Sequence, residues 1–179
     1  MLLGEAGAED YLGGVYARAA ANASRKARIS KARQMSDTDL VKLYSGRILA
    51  LAADIPHLGH LEAPDGAAKK RSPLCGSTVG VEVKVKDGRI ADFAQDVRAC
   101  ALGQASAAVL GEVVIGRTRA ELESARAALA GMLKDGGPVP PAPFDGYEVL
   151  LPARDYKNRH ASILLALDAT CAAMEAAGA

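Results

Sequence analysis

A chain of 179 residues, half of them hydrophobic, is long enough to bury a core and lies near the size of one domain. Its 22 basic and 21 acidic side chains nearly cancel, which excludes a whole-chain pull toward nucleic acid or an anionic membrane surface. No apolar run approaches the roughly 20 residues of a membrane span, and Met1-Leu2-Leu3-Gly4-Glu5 lacks the layout of a signal peptide, so the expected compartment is the cytoplasm.

Residues 1–34 differ from the rest. They are rich in Ala and Gly and end in the basic run Arg25 to Arg33; with six basic and three acidic residues, they leave 16 and 18 for the remainder. Met35-Ser36-Asp37 reads like a fresh start, so the expected organisation is a basic, disordered or mis-assigned extension over 1–34 and one domain over 35–179. From Thr38 the residues Leu40, Val41, Leu43, Ile48, Leu49 and Leu51 recur at helical spacing, with Ser36, Asp37 or Thr38 as caps and an end near Ile55-Pro56. A polar loop containing Pro64, Asp65 and Gly66 follows.

Val79, Val81, Val83 and Val85 alternate with Gly80, Glu82, Lys84 and Lys86, the period of a half-buried strand. Asp87-Gly88 is a strong hairpin signal, and Ile90 to Val97 supplies the returning strand. Beyond Cys100, Ala101 to Leu110 predicts a tightly packed helix, and Thr118 with Glu121 predicts a capping box opening a helix to about Leu133. Gly136, Gly137 and four prolines between 138 and 143 predict a stiff exposed loop. A last helix is expected from about Asn158 to Glu175, with an apolar face of Ile163, Leu164, Leu167, Cys171 and Met174.

In a reducing compartment three cysteines are thiols or metal ligands, not structural disulfides. Cys75 and Cys100 flank the hairpin at its open end. A two-residue turn sets them opposite each other; a three-residue turn shifts the register by one and matches the apolar faces better, pairing Val83 with Phe93 and Val79 with Val97. Either way the two cysteines stay at the same open end of the hairpin, and opposed strand positions sit roughly 5 Å apart, close enough for two thiolates to share a metal or cluster. Cys100 also precedes a helix, whose unpaired N–H groups favour a thiolate. Cys75 lies in Pro73-Leu74-Cys75-Gly76-Ser77, where Gly76 permits a bend.

His160 opens the last helix, with its ring expected to face outward. Cys171, about 16 Å further along that helix at the helical rise, is read as core filler. His57 and His60 are read as solvated loop residues, with an accessory ligand as the alternative. The chain carries no phosphate-binding loop, dinucleotide fingerprint or nucleophile elbow, and Ser106 and Ser162 have no evident base and acid partners. Aromatic content of 4% without a basic, aromatic-rich platform gives no support for nucleic-acid binding.

Taken as a set, Pro73-Leu74-Cys75-Gly76-Ser77, the valine strand, Asp87-Gly88-Arg89-Ile90, Ala99 to Ser106 and Arg159-His160-Ala161-Ser162-Ile163-Leu164 resemble the U-type iron–sulfur cluster scaffold family, which includes IscU, SufU and the N-terminal domain of NifU. The resemblance spans about residues 38–175. It implies a SufE/NifU-like α+β fold, in which a small antiparallel sheet packs against helices on one face, with an N-terminal helix and a long C-terminal helix. It also implies a non-enzymatic scaffold that accepts sulfur from a cysteine desulfurase on Cys75 and Cys100. Such a scaffold holds iron or a labile [2Fe-2S] cluster on Cys75, Cys100 and His160, and passes it to apo-proteins. Ser77 stands where the family usually has an aspartate, and Ala161 where it has a third cysteine. Two cysteines and a histidine leave the usual four-ligand shell open; Ser77, a second subunit of a homodimer, a partner protein or an exchangeable water or thiol could complete it. The competing reading is a degenerate member that accepts sulfur or engages the desulfurase while holding zinc or no metal. A thiol enzyme with Cys100 as nucleophile and His160 as base lacks a substrate-binding motif.

Overall fold

The computed structural model describes residues 45–73 and 75–179. The expected extension over 1–34 and the expected helical turns from Thr38 to Tyr44 lie outside the described residues. The first described helix, α1 (Gly46–Ala53), is capped by Ser45, whose hydroxyl accepts from the Ile48 N–H at 3.4 Å. Ile48 is fully buried, but Leu49 is half exposed, so the apolar stripe is narrower than its leucines suggest.

Three strands follow: β1 (Gly66–Arg71), β2 (Thr78–Lys86) and β3 (Arg89–Arg98), antiparallel in the order β1-β2-β3. The β2-β3 hairpin turns at Asp87 and Gly88 with φ of 53° and 71°, the two positive values that a tight two-residue turn requires. Lys86 pairs with Arg89 and Val85 with Ile90; an irregularity between Lys84 and Val85 then shifts the register, so that Val83 faces Phe93 and Val79 faces Val97. The turn therefore has two residues, and Ala91 supplies the extra residue that the apolar faces require.

β1 replaces part of the expected polar loop. Its sequence, Gly66-Ala67-Ala68-Lys69-Lys70-Arg71, has no β-branched residue and no apolar alternation, because it is an edge strand whose last three residues are exposed. Backbone pairing with β2, from Gly66 to Val83 through Arg71 to Thr78, makes it a strand.

Helices α2 (Ala101–Val113), α3 (Arg119–Lys134) and α4 (Lys157–Ala176) complete the domain, with an intervening 3₁₀ segment at Asp145–Asp155. The capping box opens α3: Thr118 Oγ1 accepts from the Glu121 N–H at 3.3 Å, and the Thr118 N–H donates to Glu121 at 2.8 Å. α4 is the central element and packs against β1, β2, α2 and α3. Enclosure on several sides buries eleven of its twenty residues, including Ser162 and Thr170, so its burial extends well beyond the expected single face. The sheet presents Val79, Val81, Val83 and Phe93 to this helical layer. The stretch expected as an exposed loop continues into buried Phe144, Tyr147 and Leu150, which close the far side of the core. Among the described residues no helix is long and apolar enough to cross a membrane.

Phe93 is 2% exposed and sits where the shifted register meets the helical layer. Phe93→Ala is expected to cost about 3–5 kcal/mol in urea unfolding; a loss below about 1 kcal/mol would contradict its place in the core.

Candidate functional site

Cys75 sits in the loop that joins β1 to β2. The Ser72 N–H donates to the Ser77 carbonyl at 2.8 Å, and the Gly76 N–H donates to the Ser72 carbonyl at 3.1 Å, closing the bend over Cys75. Gly76 has φ +70°, a left-handed conformation that a side chain would strain, while a Cβ there would meet only Arg71 Nη2, at 4.0 Å; its freedom serves the turn itself. The exposed Cys75 thiol donates to Ser72 Oγ at 3.3 Å and lies 3.0 Å from Ser77 Oγ.

Cys100 is the N-cap residue of α2, with extended backbone and no capping hydrogen bond from its side chain. The connection between the two cysteines comes from α4. Ser162 Oγ donates to Ser77 Oγ at 3.1 Å and lies 3.4 Å from Cys100 Sγ. Cys75, Ser77, Ser162 and Cys100 thus form one continuous polar chain, with a thiol at each end and two buried hydroxyls between them. Buried hydroxyls need partners, and these two provide them for each other. Gly103 makes the approach possible: a Cβ there would stand 2.7 Å from Ser162 Oγ and 2.8 Å from Ala99 Cβ, so only glycine lets the first turn of α2 come this close to α4. Neither serine stands out in the sequence as a link between the thiols; the available signals were Ser77 two residues from Cys75 and a glycine in the turn that carries Cys100.

His160 is buried at 5% exposure, not turned outward. Its Nε2 lies 3.1 Å from the Ala153 carbonyl and 3.0 Å from that of Arg154, at the end of the 3₁₀ segment. Both partners can only accept, so Nε2 is the donating nitrogen and Nδ1 is the one these carbonyls leave unengaged. Any metal bond from His160 therefore runs through Nδ1. Among the described residues no group of three or more His, Cys, Asp and Glu side chains is arranged to hold a metal ion. The two cysteines are brought together through the serines, and His160 adjoins the same end of α4 without a contact to either sulfur.

The remaining candidates lie apart. Cys171 packs at the margin of the core, and burial, reinforced by the Glu123 charge, pushes its thiol up to about 11. His60 is exposed, with Nδ1 2.8 Å from Glu82, an interaction that raises its pKa. His57 is exposed and meets Phe93 edge to face at 5.9 Å between ring centroids.

For Cys75, burial pushes the thiol up, but the Ser72 and Ser77 hydroxyls, the Ser77 backbone and Ser162 outweigh it and bring the pKa down to about 7. About half of this thiol is thiolate near neutrality, the form that attacks sulfur and binds metal. Iodoacetamide at pH 7 should alkylate Cys75 of the metal-free protein at least about tenfold faster than Cys171, with a rate that climbs between pH 6 and 8; peptide mass spectrometry reads both, and equal labelling would refute the difference. Gly103→Ala should force α2 and α4 apart at a cost of about 1–3 kcal/mol in chemical denaturation, and move the Cys75 alkylation midpoint upward as the serine chain loosens.

Comparison with known proteins agrees with this architecture. The family described as NifU-like N terminal domain matches residues 43–146. The iron-sulfur cluster assembly scaffold proteins IscU 1 and IscU 2 of Archaeoglobus fulgidus are each 30% identical to the chain over 92 residues, or 51% of this chain and 60% of theirs. The chain thus spans about 60% of the length of these curated relatives. The crystal structure of a nitrogen-fixing NifU-like protein (N-terminal) from Brucella abortus superposes with a TM-score of 0.76 at 45% identity, covering 78% of this chain and 97% of that one. The fold is also that of a proposed SUF-system scaffold protein from Fervidobacterium islandicum AW-1, with a TM-score of 0.66 at 21% identity over 75% of this chain and 98% of that one. By sequence and by fold, the chain belongs to the NifU-like N-terminal domain family.

Proposed function

We propose that this chain is an iron–sulfur cluster assembly scaffold that works in the cytoplasm, with residues 35–179 as its working domain and 1–34 as a basic extension. The observation that supports the reading most strongly is the polar chain joining the Cys75 and Cys100 thiols through Ser77 and Ser162. Two sulfurs held at one end of a hairpin are ligands for soft metal ions. A cysteine desulfurase is the partner that supplies sulfur. The Cys75 thiolate attacks the outer sulfur of the donor's persulfide; the donor's S–S bond breaks, a new S–S bond forms at Cys75, and the donor cysteine leaves as a thiolate. A thiol with a pKa lowered to about 7 suits this step, being substantially ionised yet still nucleophilic. Cys100, held by Ser162, is the second acceptor and ligand.

Iron or a [2Fe-2S] cluster is the cargo. Cys75 and Cys100 bind it, with His160 Nδ1 as the third donor and Ser77 as a weaker oxygen donor. An unfilled shell suits a carrier that must release its cargo to apo-proteins, since a fully satisfied site holds its metal. A second copy of the chain would be one source of the missing ligand.

Ser77, Ala161 and the lack of a preformed cluster of metal-binding side chains among the described residues favour one other reading. It is a degenerate member that accepts sulfur or engages the desulfurase while holding zinc or no metal.

Anaerobic reconstitution with iron, sulfide and a cysteine desulfurase separates the two. The scaffold should develop a charge-transfer absorption band that Cys75→Ser and Cys100→Ser each reduce at least about tenfold. A colourless wild-type protein that still stimulates the desulfurase would establish the second reading. A band retained in both variants would refute the ligand assignment.

A further inference from the structure

Beside the Cys75 loop lies a cavity of about 560 Å³, within the size range of small-molecule sites. Its charged walls come from three elements: Arg71 from the end of β1, Lys134 from the end of α3 and Lys157 from the start of α4. Arg126 and Asp168 also line it, and they pair with each other and largely cancel. The three other cations have no carboxylate partner among the described residues. Convergence of unpaired cations on one hollow focuses a positive field and marks an anion site.

The position of the cavity narrows its ligand. Ser72 lines it, and the Ser72 hydroxyl accepts the hydrogen bond from the Cys75 thiol, so one small side chain separates the cavity from a reactive sulfur. His160 and Ala161 line another part of the wall. The Ser72 side of the cavity thus faces the Cys75 loop, where a two-cysteine site leaves ligand positions open. We propose that the cavity binds a low-molecular-weight anionic thiol, with its carboxylates on Arg71, Lys134 and Lys157 and its sulfur directed past Ser72 as the additional ligand for metal held by Cys75 and Cys100. The sulfur half rests on the scaffold reading; the anion half does not.

Calorimetric titration with reduced glutathione, S-methylglutathione and inorganic phosphate tests both halves. In metal-free protein the two peptides should bind with equal affinity within about twofold, and Lys134→Glu/Lys157→Glu should weaken both at least about tenfold. Lys69→Glu/Lys86→Glu, the same charge change on exposed positions outside the cavity, should not. With one equivalent of zinc, the reduced peptide should gain at least about tenfold over its S-methyl form. Loss of peptide binding in both double variants, or in neither, would overturn the anion site. Equal affinity of the two peptides on the zinc-loaded protein, or displacement of both by equimolar phosphate, would reduce the cavity to a general anion site and overturn the thiol assignment. Failure of wild type to take up zinc or iron would sink the scaffold reading and the sulfur half with it, while the metal-free titration still decides the anion half.

Discussion

The crossing of α2 and α4 at Gly103 and Ser162 sets the geometry on which everything near the two cysteines depends. Ser162 is 1% exposed in the second turn of α4, inside a helix, where a hydroxyl commonly turns back on its own backbone. Here it reaches across to Ser77, in the loop just before β2, and lies beside Cys100, the N-cap of α2. The absence of a Cβ at residue 103 lets the backbones close far enough for that reach. The same crossing carries the hydroxyl of Ser106, one helical turn along α2, to within 2.6 Å of the Ile163 carbonyl, a second polar tie across the interface. Two hydrogen-bonded serines in an otherwise apolar seam fix the relative register of the helices more sharply than aliphatic contacts would.

The chemistry follows from how differently the three thiols are surrounded. Cys75 is on a loop, ringed by hydroxyls that stabilise negative charge on sulfur, whereas Cys171 is sunk into the edge of the core near carboxylates that oppose it. Residues with the same side chain are thereby divided into a reactive group and an inert one. His160 shows a related division within one ring. Two backbone carbonyls claim Nε2, which leaves the other nitrogen as the only lone pair that can serve a ligand.

Much of this was legible in the sequence where a period or a short-range signal carried it. The valine alternation, the Asp87-Gly88 turn and the Thr118/Glu121 box each reflect local physics, and each appears where expected. Pairing Val83 with Phe93 was readable because burial demands that apolar faces coincide. Strand β1 was not readable, since Lys69, Lys70 and Arg71 carry the solubility signature of an edge and owe their conformation to β2. The inward position of His160 depends on the end of a 3₁₀ segment that nothing local announces. The serine chain depends on three elements meeting, with a sequence separation of 85 between Ser77 and Ser162, and no spacing rule reaches that far.

The extra residue at Ala91 connects the hairpin turn to the chemistry at its other end. Side chains in a strand alternate between faces, so a register step of one exchanges the inward set for the outward set. Without that step the tight turn at Asp87-Gly88 would carry its own register to the open end of the hairpin, turning Phe93 and Val97 away from the helices and carrying Cys100 to a different place beside α4. Ala91 therefore acts as a phase corrector: it reconciles the geometry of the turn with that of the site. A change in strand length near residue 91, remote from either sulfur in the chain, would be felt at the thiols as a loss of alignment.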